Sequence, residues 1–183
     1  MTAPFFMSAR RRGLAAIAAA LFWSPLAMAH SPTPANPNIP VPVTPLRATG
    51  TFKVSIQPPQ MMASPEGGPA QGRRALEKQF EGGLQGRSLG EMLAAGQPQQ
   101  GEAAYVALES FLGTLQDRAG GFALAHLGLM HAGQQDLRIA VVPGSGTGAL
   151  QGITGELTLR IEGGVHHYEL VYTLPPAAAD TSQ

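Results

Sequence analysis

Hydrophobic and polar residues alternate along much of this chain, and the clearest case begins at Ile153. Ile153, Gly155, Leu157, Leu159 and Ile161 fall on one side, and Thr154, Glu156, Thr158, Arg160 and Glu162 on the other. A period of two is that of a strand with one dry and one wet face. Thr51 to Gln57 repeats it: Phe52, Val54 and Ile56 oppose Lys53, Ser55 and Gln57 before Pro58 and Pro59 stop the run. Gln60 to Gly72 reads as a Pro/Gly loop. Leu76 to Met92 alternates again, and its parity survives Gly82-Gly83. That continuity predicts one long strand bent at glycine, of the kind that curls in barrels.

Glu102 to Gln116 carries two patterns. Ala104, Leu108, Phe111, Leu112 and Leu115 have helical spacing. Tyr105-Val106 and the late Gly113-Thr114 favour a strand. Phe122 to His131 follows a turn at Asp117 to Gly121. Leu137 to Val142 and Val165 to Leu174 complete the set, with Gly163-Gly164 as a hairpin turn. Seven or eight short strands without a βαβ rhythm predict an all-β domain, a closed or nearly closed antiparallel barrel or a sandwich.

The glycine-rich run Val142-Pro-Gly-Ser-Gly-Thr-Gly148 leads towards the strand at Ile153. A phosphate cradle needs a helix N-terminus behind it, and a P-loop also needs a Lys that this run lacks. The run is therefore expected to connect strand to strand, with no nucleotide function.

Charge and composition bear on the compartment. Arg10, Arg11 and Arg12 precede a short apolar run from Gly13 to Trp23, and Ala27-Met28-Ala29 is a small-x-small cleavage site. This predicts a signal peptide over 1–29, with cleavage before His30 and a periplasmic or secreted protein. Arg11-Arg12 also loosely fits a twin-arginine signal. The apolar run is too short to span a bilayer, so no stable membrane insertion is expected after cleavage. Residues 30–47 hold six prolines among small residues and read as an extended tether. The barrel domain is expected over 48–174 and a disordered tail over 175–183. Beyond residue 29 there are nine basic and twelve acidic side chains, with no clustered basic face for nucleic acid. Cysteine is absent, which excludes disulfides and thiolate chemistry.

Several phrases carry a resemblance: Ala48-Thr-Gly-Thr-Phe-Lys-Val54, Leu76-Glu-Lys-Gln-Phe-Glu-Gly82, Gly101-Glu-Ala-Ala-Tyr-Val-Ala-Leu-Glu109, Gly121-Phe-Ala-Leu-Ala-His126 and Val142 to Gly148. Together they resemble a bacterial family catalogued as domain of unknown function 3224, over about residues 48 to 174. The resemblance implies a closed antiparallel barrel similar to that of allene oxide cyclase. It supplies no catalytic residues.

Candidate chemistry is sparse. Gly86-Arg87-Ser88-Leu89-Gly90 fits G-x-S-x-G, but it lies within an alternating strand and not at a strand-to-helix elbow, so Ser88 is not expected to be a nucleophile. His166 and His167 point to opposite faces of a strand, as do His126 and His131, so no metal site is expected. A turn at Asp117 to Gly120 would set Glu109 opposite Gly128 and make His126 its diagonal neighbour on one face, which Tyr105 shares. A carboxylate beside an imidazole suits acid–base work, or is simply a hydrogen-bonded pair. Lys78 shares a face with Leu76 and Phe80, and either points inward or snorkels at a barrel end. Tyr105, Glu109, His126 and Lys78 are thus the candidate ligand-binding residues, with no cofactor expected. The first functional reading is a barrel holding a small apolar ligand. Alternatives are an isomerase or cyclase using Tyr105, Glu109 and His126, and a non-enzymatic interaction module. The partners expected are a small apolar ligand and a second copy of the chain.

Overall fold

The protein is described here by a computed structural model covering residues 44–175. The leader, most of the tether and the tail from 176 lie outside the described residues. Strands β1 (Leu46–Ile56), β3 (Gln71–Gly82), β4 (Leu84–Gln97), β5 (Glu102–Leu115), β6 (Arg118–His131), β7 (Gln134–Val141), β9 (Thr154–Glu162) and β10 (Val165–Thr173) form the wall. Two-residue strands β2 (Gln60–Met61) and β8 (Thr147–Gly148) pair with β3 and β6. The order β1-β10-β9-β7-β6-β5-β4-β3 closes where β1 also pairs with β3, so eight antiparallel strands make a barrel. β7 and β9 meet in a single ladder pair, Ala140 with Glu156. The expected all-β barrel is observed.

Three local expectations are corrected. Residues 76–92 form a hairpin and not one bent strand: Phe80 pairs with Gly86, and Lys78 with Ser88. The turn pivots on Gly83, so residues of the same parity on β3 and β4 share a face, and the alternation runs through the turn unbroken. Gly82, at φ +104, supplies the left-handed backbone needed to reverse the chain there. The segment at Glu102 is a strand throughout, and its turn lies at Gln116-Asp117, with Leu115 opposite Arg118. Glu109 therefore faces Leu124, four residues from the expected register. An even shift leaves each side chain on its original face. The expected loop at 60–72 contains β2.

One end of the lumen is filled and the other is open. Leu84, Leu115, Leu150 and Ile153 are fully buried and plug the closed end beneath Phe80, Phe111, Phe122 and Tyr168. There the Tyr168 hydroxyl accepts from the Leu84 amide at 2.7 Å, and the Tyr172 hydroxyl donates to Gln116 Oε1 at 2.6 Å. The run from Pro143 to Ile153 joins β7 to β9 strand to strand as expected, and the Ser145 hydroxyl accepts from the Ala123 amide at 2.9 Å. Leu157 is buried and Thr158 exposed, as the alternation predicts. Ile161, on the same parity as Leu157, is nonetheless 63% exposed because it has reached the open rim.

Candidate functional site

Towards the open end the inward positions include small residues, Ala94 on β4, Ala103 and Ala107 on β5, and Gly128 on β6. Small residues on adjacent strands leave space that the large ones fill at the closed end. The result is a cavity of about 720 Å³, walled by Phe52, Val54, Leu76, Met92, Tyr105 and Leu159 among others. Its size is that of a small-molecule pocket. Gly128 pairs with Tyr105 across the β5–β6 ladder, and a Cβ there would lie 2.2 Å from the Tyr105 ring. The missing side chain lets that ring lie flat against the wall. A second hollow, on the outside over β1, β9 and β10, is lined by Thr49, Thr51, Thr158, Arg160, His167 and Glu169 among others and contains none of Lys78, Glu109 and His126.

At the cavity floor, four strands each contribute one buried polar side chain: Lys78 from β3, Ser88 from β4, Glu109 from β5 and His126 from β6. Lys78 Nζ donates to Glu109 Oε2 at 2.6 Å, and the Ser88 hydroxyl donates to Glu109 Oε1. The Lys78 ammonium also lies 4.9 Å from the Phe52 ring centre and 5.9 Å from that of Phe80. His126 Nε2 stands 3.0 Å from Glu109 Oε2, but the approach is too oblique for a directed hydrogen bond. It is the one buried side-chain polar atom without a hydrogen-bond partner among the described residues. Such atoms are rare in folded proteins.

Burial alone would raise the Glu109 carboxyl. The close imidazole of His126, the charge and hydrogen bond of Lys78, and the Ser88 hydroxyl together outweigh burial and hold it at about 2. Glu109 is therefore a firmly ionised counter-ion. Burial raises the Tyr105 phenol, and the negative charge of Glu109 adds to the effect.

The four sequence candidates share the lumen but divide into two levels. Lys78 and His126 line the cavity floor, Glu109 lies just beneath it at 1% exposure, and Tyr105 stands higher on the wall. Lys78 points inward and does not snorkel. Ser88 was missed as a member of this cluster. Its parity with Lys78 was visible, but only the hairpin at Gly83 places the two directly opposite. His166 also lines the cavity from β10, whereas His167 turns outward and His131 pairs with Glu102 at the surface. Among the described residues no group of three His, Cys, Asp or Glu side chains is placed to hold a metal ion.

Residues 48–172 match the family described as "Protein of unknown function (DUF3224)". A crystal structure at 1.84 Å of a protein of unknown function from the same family, from Shewanella oneidensis MR-1, is similar in sequence and fold. The two are 43% identical with a TM-score of 0.68, over 73% of this chain and 100% of that one. No curated protein matches the chain.

Proposed function

The chain belongs to the DUF3224 family, and on that premise we propose that its barrel is a binding protein that holds a small, mostly apolar molecule in the open half of the lumen. The observation that carries this reading is the unpartnered His126 Nε2 at the floor of a 720 Å³ apolar cavity. A filled barrel would have neither the space nor the unsatisfied group. The state of Glu109 favours holding over proton transfer. A general base works best with a pKa near the working pH. Glu109, held at about 2 with both oxygens engaged, is a weak base.

Filling the cavity tests the proposal. Ala107 is buried on the cavity wall, and Ala107→Phe should project a ring into the space. A neutral apolar fluorophore such as N-phenyl-1-naphthylamine should bind the wild type. Ala107→Phe should weaken it about tenfold or more, while overpacking lowers stability by no more than about 1–3 kcal/mol. Equal binding to both proteins would reject the lumen as the site.

We propose export as well, supported by Arg10 to Arg12, the apolar run and Ala27-Met28-Ala29. The mature protein should begin at His30 on N-terminal sequencing. A full-length product retained in the cytoplasm would refute this.

A second reading concerns the outer wall. Leu89, Leu93, Val106, Leu108, Leu112 and Leu127 are each at least 40% exposed on the outer faces of β4, β5 and β6, where Leu93, Val106 and Leu127 form one row and the other three interleave with Arg87, Glu91 and Ser110. An exposed patch this rich in leucine marks a contact surface. Arg87, Leu89 and Glu91 point outward in succession along β4. A two-fold axis at Leu89 would set Arg87 of one copy against Glu91 of the other, which favours a homodimer. Sedimentation should find a dimer that Leu108→Lys converts to monomer, and a wild-type monomer would overturn the idea.

A further inference from the structure

We infer that the group seated on the cavity floor is an uncharged carbonyl oxygen, carried by an aldehyde, ketone or ester with an apolar body. The inference rests on the lumen-binding reading and adds the chemistry of the ligand's polar end.

The charged group that reaches the cavity floor is a donor, the Lys78 ammonium, with the His126 ring beside it. An ammonium carries three N–H groups, and the hydrogen bond that Lys78 makes is to Glu109 Oε2. A bare ring nitrogen 3.0 Å from a carboxylate oxygen would set lone pair against lone pair, so Nε2 of His126 carries a proton. That proton lacks a well-directed acceptor. The carboxylate is spoken for: Glu109 lies beneath the lining, with Oε1 taken by Ser88 and Oε2 by Lys78. A ligand atom arriving here must accept hydrogen bonds.

Three kinds of oxygen could accept, and charge and proton count separate them. A carboxylate would add a negative charge to a floor where Lys78 and Glu109 already cancel. A buried, uncompensated charge costs several kcal/mol. A hydroxyl would accept, but its own proton must then go to Nδ1 of His126 or to the Tyr105 hydroxyl, a second partner that a carbonyl does not need. A carbonyl oxygen accepts from Lys78, and from Nε2 of His126 once the ring turns towards the lumen, and brings neither charge nor proton. Phe52, Val54, Leu76 and Leu159 then enclose the apolar body.

The test is competition against bound N-phenyl-1-naphthylamine at pH 8 with four probes of similar length: undecane, 2-undecanone, 2-undecanol and decanoate. The ketone should displace the fluorophore at a concentration about tenfold or more below that of the alkane, the effect of one hydrogen bond from a charged donor. The alcohol should fall between them and decanoate should be weakest. Glu109→Gln keeps the side-chain shape but leaves the ammonium uncompensated, so decanoate should overtake the ketone. His126→Phe strands no charge and remains informative if the first variant fails to fold. It should shrink the ketone's advantage several-fold and leave undecane unchanged. If ketone and alkane compete equally with the wild type, or decanoate competes best, the carbonyl assignment is overturned while lumen binding stands. If the fluorophore itself does not bind, the lumen reading fails first.

Discussion

Glu109→Ala should cost the barrel about 3–5 kcal/mol, the usual penalty for removing one partner of a buried ion pair. The Lys78 ammonium would be left between Phe52 and Phe80 without a counter-ion, and the Ser88 hydroxyl without its acceptor. Against the 5–15 kcal/mol typical of a whole domain, this is a large fraction. The double variant Lys78→Met/Glu109→Leu removes both charges and should lose far less than the sum of the two single variants. Urea midpoints of the four proteins measure that coupling directly. Acid should act through the same group. The Glu109 carboxyl lies at about 2 in the folded protein against 4.5 as its reference. A depressed folded value means the stabilisation is fully present above pH 4.5 and is lost as pH falls from 4.5 towards 2. Linkage sets the amount at about 3 kcal/mol. Wild type should therefore weaken steeply between pH 5 and 2.5, and Glu109→Gln much less. Parallel pH curves for the two would show that Glu109 is not the acid-sensitive group.

Phe111→Ala should be about as damaging, at about 3–5 kcal/mol, because it opens a cavity among the packed aromatic rings of the closed end. Phe111 is 1% exposed, meets Phe80 edge-on with ring centres 5.6 Å apart, and packs on Phe122 at 5.2 Å. Its neighbour Leu112 is the larger test of the register. Leu112 is 67% exposed on the outer wall, and Leu112→Ala should stay within about 0.5 kcal/mol. Similar losses of thermal midpoint for the two variants would mean that β5 does not present its faces in this way.

The alternation made the strands legible because each strand of a barrel has one packed and one solvated face. It also made the faces legible. Leu157 and Thr158 lie where parity puts them, and Glu109, His126 and Lys78 all point inward. Parity is blind, however, to where a chain reverses about a single residue. The pivot at Gly83 kept the pattern running and hid a hairpin inside what reads as one strand. It is equally blind to shifts of two or four residues, which is why the β5–β6 register came out four away while the face of Glu109 stayed correct. Ser88 was out of view for the first reason. The cavity was out of view because it is made by what Ala94, Ala103, Ala107 and Gly128 lack. An amphipathic strand pattern records which side is dry and does not record how much volume that side leaves empty.

That blindness gives the buried cluster a second consequence, in the choice among alternative pairings during folding. A slip of two residues between neighbouring strands keeps every apolar side chain inside, so hydrophobic burial scarcely penalises it. The charges do penalise it. Lys78, Ser88, Glu109 and His126 come from four consecutive strands and converge only when all three ladders are in step. A slip in the β3–β4 or β4–β5 ladder would carry the ammonium away from the carboxylate and leave both bare in the interior, at several kcal/mol. Two buried charges thus act as a vernier for the barrel: apolar residues could replace the pair at little cost, but only the charges make a nearly correct alignment expensive.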